Sequence, residues 1–159
     1  MTDFMSLPER TKLPHTPPPW VDDGAIFFIT LCLKQRGGWV LCQTPTPESL
    51  FASIDFNRTR GIWWPHLVLL MPDHLHGLFT FAPDPGMKKA MGDWKHYTSR
   101  TFDLDWQRDF FDHRLRSHDE YIEKAAYIRQ NPVRAGLVAR ADDWPHVREW
   151  PTVKTENRN

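Results

Sequence analysis

The chain has 159 residues, 40% of them apolar and including eight Trp and ten Phe, which is enough for one domain with a real core and too much for a disordered segment. Twenty basic and twenty acidic residues cancel, which argues against bulk electrostatic binding to nucleic acid and leaves only a local patch for that role. No stretch approaches the roughly 20 apolar residues of a membrane span, the N-terminus lacks a secretory pattern, and Cys32 and Cys42 lack CxxC spacing, so a soluble cytoplasmic protein without a zinc knuckle or disulfide is expected.

In chain order, residues 1–23 contain the run Leu13-Pro14-His15-Thr16-Pro17-Pro18-Pro19-Trp20, which cannot be helix and reads as an extended arm, on the domain or reaching a partner. The domain itself is expected over 24–140, with a polar tail over 141–159. Residues 25–33 form a β-branched and aromatic run and the first strand, ended near Gly37-Gly38, and Trp39 to Cys42 reads as a short additional strand. Thr46-Pro47-Glu48 reads as an N-cap followed by proline, opening a helix through Asn57 with Leu50, Phe51, Ile54 and Phe56 on its apolar face.

Residues 62–71 read as a second strand in which Pro65 imposes a bulge or an edge position. A Pro72-Asp73 turn leads into a third strand, His74 to Ala82, closing an antiparallel hairpin. A helix to about Phe102 follows, with Met87, Ala90, Met91, Trp94, Tyr97 and Thr101 on its stripe and Lys88 and Lys95 off it. Residues 110–116 read as a fourth strand with interleaved charges. Ser117-His118-Asp119-Glu120 then caps a helix that ends by Asn131-Pro132, before a short last helix from Pro132 to Val138. The order βαββαβ plus a C-terminal helix is that of an α+β, ferredoxin-like antiparallel sheet with two helices on one face.

Three features carry chemistry. His74 and His76 alternate on one strand and so share a face, which makes them either half a metal site or a pair on a solvated sheet face. Of the three tyrosines, Tyr97 lies on its helix's apolar stripe. With Ile122 as the zero of angle at about 100° per residue, Tyr121, Ala125, Ala126 and Ile128 share one arc, with Tyr127 on the opposite side. Tyr127 then has Glu120, Glu123, Lys124 and Asn131 as neighbours, and is either a surface accident or a working phenol. A phenol with an ordinary pKa near 10 attacks phosphorus usefully only with a metal or cation to help, and the histidine pair could hold that metal. Asn131, one turn from Tyr127, is a natural third ligand, or simply a helix-end residue set by Pro132.

These motifs together resemble the REP-associated tyrosine transposases, the single-domain branch of the HUH endonuclease superfamily. Met71-Pro72-Asp73-His74-Leu75-His76 is similar to the family's Met-Pro-Asn-His-hydrophobic-His strand. Trp106-Gln107 with Phe110, Asp112-His113 and Arg116 resembles its later strand. Tyr127-Ile128-Arg129-Gln130-Asn131-Pro132-Val133-Arg134-Ala135-Gly136-Leu137-Val138 resembles its C-terminal signature. The resemblance covers about residues 20–150.

It implies nicking and joining of single-stranded or hairpin DNA with Mg2+ or Mn2+, through a 5′-phosphotyrosine. Tyr127 would be the nucleophile and His74, His76 and Asn131 the metal ligands, in a cytoplasmic, nucleoid-associated monomer or homodimer with no membrane partner. Lys88, Lys95, Arg100, Arg129 and Arg134 are the expected DNA-backbone contacts, from their places off the apolar stripe of one helix and in the C-terminal basic run. Two departures stand out: Asp73 replaces the commoner asparagine, and the overall charge is neutral. A catalytically silent single-strand binder of the same fold and a metal-dependent hydrolase using water are the competing readings.

Overall fold

A computed structural model describes residues 24–151. Its strands are β1 (Ile26–Cys32), β2 (Trp63–Leu70), β3 (His74–Phe81), β4 (Phe111–Arg114) and β5 (Val147–Glu149). Its helices are α1 (Thr46–Thr59), α2 (Met87–Phe102) and α3 (His118–Arg134). The strands form one antiparallel sheet in the order β4-β1-β3-β2-β5, as expected for a ferredoxin-like βαββαβ chain with one strand added.

Alternation along the strands sorts the side chains into two layers. Ile29 and Leu31 of β1, Val68 and Leu70 of β2, and Leu75 and Phe79 of β3 pack with Leu50 and Ile54 of α1 and with Met91 and Trp94 of α2. Phe28, Leu67, Leu69 and Leu78 face the other way and pack with Ala125 and Ile128 of α3. The first layer is aromatic, and its indoles donate within it: Trp63 to the Ile54 carbonyl (3.0 Å), Trp94 to Ser53 (2.9 Å) and Trp106 to Thr98 (2.9 Å).

Several expectations are corrected. Val40–Cys42 is a 3-10 turn, not a strand, because Leu41 tucks into the core and donates its N–H to the Pro72 carbonyl (3.0 Å). Helix α1 begins at Thr46 with Pro45 as its N-cap, so Thr46 is not the cap. On α2 it is Thr98 that is buried, with its hydroxyl donating to the Trp94 carbonyl; Tyr97 and Thr101 are exposed. Helix α3 runs through Pro132 to Arg134, so there is no separate helix over 132–138. The missing proline N–H falls in the last turn, where the chain closes instead through Ala135 N–H to the Asn131 carbonyl (2.9 Å) and Gly136 N–H to the Val133 carbonyl (3.0 Å).

The described part of the tail packs on the sheet. Trp144 and Trp150 are buried, β5 pairs with β2, and both indoles donate, Trp144 to the Leu70 carbonyl (3.0 Å) and Trp150 to the Asp55 carboxylate (2.8 Å). Trp150→Ala is therefore expected to cost about 3–5 kcal/mol, read as a lowered urea midpoint. The Pro-rich arm over 1–23 and residues 152–159 lie outside the described residues.

Pro65 does produce the expected bulge: the β2–β3 register shifts between Pro65 and Leu67, and His66 is the extra residue. Its Nε2 meets the Thr80 hydroxyl at 2.9 Å, its Nδ1 has no partner, and burial pushes its pKa down to about 4. Because the folded value lies below the unfolded 6.5, this histidine's contribution to stability is present above pH 6.5 and is lost as pH falls towards 4. Denaturant titrations of wild type and His66→Gln at pH 8 and pH 4 should show the variant losing less, by about 3 kcal/mol.

Candidate active site

The hairpin built by Met71 N–H to the His74 carbonyl (2.8 Å) sets both histidines on the α3 side of the sheet. Their rings stand 4.8 Å apart and nearly perpendicular. His74 Nδ1 contacts the Asp73 carboxylate at 2.7 Å, and His76 Nδ1 contacts the Thr30 hydroxyl at 2.9 Å across the β1–β3 ladder. With both Nδ1 atoms engaged, the Nε2 lone pairs are the ones left for an outside partner, the arrangement that orients metal-binding imidazoles.

Asp73 has a defined job. Its other oxygen accepts from Arg36 Nε (3.0 Å) and Gly37 N–H (2.8 Å), tying the segment after β1 to the β2–β3 turn. Partial burial pushes the Asp73 carboxyl up, but the His74 hydrogen bond, the Gly37 N–H and the Arg36 guanidinium outweigh it and hold the group below its ordinary value. His76 is 7% exposed, and burial, reinforced by the charges of His74, Arg134 and Arg36, pushes its pKa down to about 3. It is neutral at pH 7 and so has the lone pair a ligand needs.

Tyr127 is 44% exposed, and the buried face of its helix is offset from the one that periodicity predicts. The buried stripe is Ala125, Ile128 and Pro132, with Ile122 and Ala126 exposed. Tyr127 flanks that stripe and leans over the sheet, its ring 6.1 Å from His76 and 6.1 Å from Phe28. Arg134 sits 4.3 Å from the ring centroid and donates to the Tyr127 carbonyl (2.8 Å), while Lys124 Nζ stands 5.6 Å from the ring. Tyr121 is half-buried and stacks on His118, and Tyr97 lies on α2, in the layer on the other side of the sheet.

The residues fit a divalent metal. Two imidazoles share a face, and Asn131, one turn beyond Tyr127, has a buried Nδ2 without a hydrogen-bond partner, so no bond from that nitrogen fixes which way the amide oxygen is turned. Among the described residues no group of three or more His, Cys, Asp or Glu is arranged to hold a metal ion, so an amide would have to complete the set.

The expected cationic residues divide. Lys88 and Arg100 are exposed on α2, across the sheet from Tyr127, and the Lys95 ammonium is taken up by the Gln107 and Arg108 carbonyls (2.7 Å each). Arg129 pairs with Glu149 (2.6 Å). Of the five, only Arg134 stands at the tyrosine. Lys124, the expected neighbour of Tyr127 at i−3, adds a second cation there, whereas Thr30 and Arg36 come to the site through strand pairing and a loop, which leave no local signal in the sequence. A cavity of about 740 Å3 lined by Phe56, Trp94, Tyr97 and Phe102 lies between α1 and α2 and holds none of these groups.

Fold and site together define a ferredoxin-like protein with a histidine pair on the central strand and a tyrosine helix across it. No family model matches the chain. A REP-associated tyrosine transposase of Escherichia coli (strain K12) is 29% identical over 129 residues, covering 77% of this chain and 74% of that protein. An uncharacterized protein of Haemophilus influenzae is 26% identical over 149 residues, covering 67% of this chain and 79% of its own length. A solved REP-associated tyrosine transposase bound to a REP hairpin superposes with a TM-score of 0.70 at 25% identity, covering 78% of this chain and 76% of that one. The chain is similar to the REP-associated tyrosine transposases in both sequence and fold.

Proposed function

We propose that this protein is a metal-dependent enzyme that nicks and rejoins single-stranded DNA at hairpins, with Tyr127 as nucleophile. The observation that carries the reading is the exposed Tyr127 phenol leaning over His76, with Asn131 one turn further along the same helix. The likeness to a transposase whose structure holds a REP hairpin supports DNA as the partner.

In the reaction the Tyr127 oxygen forms a bond to phosphorus and the P–O3′ bond breaks. The phenol proton leaves to solvent, and the departing 3′ oxygen is protonated to a free 3′-OH. The 5′ end stays on the protein as a phosphotyrosine, and attack by a 3′-OH on that ester reverses the step. A Mg2+ or Mn2+ ion held by Nε2 of His74 and His76 and the Asn131 amide oxygen would supply Lewis-acid polarisation of a phosphate oxygen. Asp73 and Thr30 hold the imidazoles in the ligating orientation. Arg134 and Lys124 place two positive charges where the phosphate would arrive, a local patch compatible with a neutral chain. Phosphate contacts by Lys88 and Arg100 would require DNA that also reaches the α2 side of the sheet.

The test is to incubate the protein with single-stranded hairpin oligonucleotides and Mn2+ and look for a denaturation-resistant adduct. The expected result is a nucleotide mapped by mass spectrometry to the peptide containing Tyr127. Binding without an adduct would make the protein a silent binder, and an adduct on Tyr97 or Tyr121 would overturn the assignment.

A further inference from the structure

We propose that Phe111 is a stacking platform for an unpaired nucleobase next to the phosphate attacked by Tyr127; this rests on the reading of the site as one for single-stranded DNA. Phe111, Thr30 and His76 lie directly opposite one another in β4, β1 and β3, so they form one row across the sheet and point to the same face. Strands in a sheet are about 4.8 Å apart, which sets the Phe111 backbone about 10 Å from that of His76.

Phe111 contributes little to the core, being 58% exposed on a strand whose other residues are Asp112, His113 and Arg114. Its ring edge rests on Phe28 at 6.0 Å, and Phe28 in turn stacks on His76 (5.5 Å, 18° between planes) and meets Tyr127 edge-on. The aromatic layer that begins under the nucleophile thus continues outward and ends at Phe111, beside solvent. A cation accompanies it, with Lys124 Nζ 5.4 Å from the Phe28 ring. Exposed rings in series beside cations are how proteins hold single strands without reading sequence, since every base has a π-face and every linkage a charge. An isolated surface phenylalanine would need no explanation, but this one adjoins the nucleophile through a single intervening ring.

The test is fluorescence anisotropy of the full chain with oligo(dT) and with an abasic deoxyribose-phosphate oligomer of equal length. Phe111→Leu is expected to weaken oligo(dT) binding roughly tenfold, while Phe111→Tyr binds like wild type. Neither variant should change binding of the abasic oligomer. Wild-type affinity of Phe111→Leu for oligo(dT), or an equal loss on both oligomers, would overturn the stacking role while leaving the nucleophile in place. Failure of the wild-type protein to bind any single strand would overturn both.

Discussion

Replacing Tyr127 by phenylalanine is expected to abolish strand cleavage and the covalent adduct, a loss of at least roughly four orders of magnitude in rate. The fold should be unaffected. The Tyr127 hydroxyl makes no hydrogen bond among the described residues, and the contacts with Phe28, His76 and Arg134 belong to the ring, which phenylalanine keeps. A change in stability of more than about 0.5 kcal/mol would be out of line for an exposed group. DNA binding should survive as well, so anisotropy and thermal melting alongside the cleavage assay separate loss of the nucleophile from loss of the protein. Undiminished cleavage by the phenylalanine variant would refute the mechanism.

Removing both imidazoles, His74→Ala with His76→Ala, is expected to bring cleavage below detection while single-strand binding persists. The two substitutions differ in structural cost. His74 is partly exposed at the turn, whereas His76 is buried against Phe28 and bonded to Thr30, so its loss leaves the Thr30 hydroxyl unpaired at about 1–3 kcal/mol. Melting curves should therefore show a modest drop that traces to position 76. Isothermal titration with Mn2+ gives a readout independent of activity: heat of binding in the wild type and none in the double variant. Wild-type cleavage by the double variant would put the metal elsewhere.

The parts of the fold that sequence reveals are those fixed by local chemistry. The hairpin followed from the Pro72-Asp73 turn and alternating β3, the bulge from Pro65, and the start of α3 from Ser117, which accepts from Glu120 N–H (3.1 Å). What stayed hidden was set by packing between distant segments. The short strand Val147–Glu149 is too brief to show periodicity, and it exists because Trp150 and Arg148 anchor it to Asp55 on α1. Periodicity places Ile122 in the core arc of α3, yet Ile122 is exposed and the buried stripe is assembled from Ala125, Ile128 and Pro132. That offset turns Tyr127 toward the sheet, where its ring meets Phe28 and His76. The histidines, the tyrosine and Asn131 stand out in the sequence as candidates by residue type and spacing. Thr30, Arg36 and Phe111 do not, since only strand register and a loop crossing bring them to the site.

The sheet divides the molecule into a side that holds the site and a side that holds α1 and α2. Lys88 and Lys89 are exposed on that second side, and the amine of Lys95 is engaged by backbone carbonyls. Attachment of the protein to a bead or a biosensor chip through the amines of α2 would leave Tyr127, Phe111 and the histidine pair turned to the solution. An immobilised preparation could then be offered one oligonucleotide after another, with every captured strand held on the same exposed face.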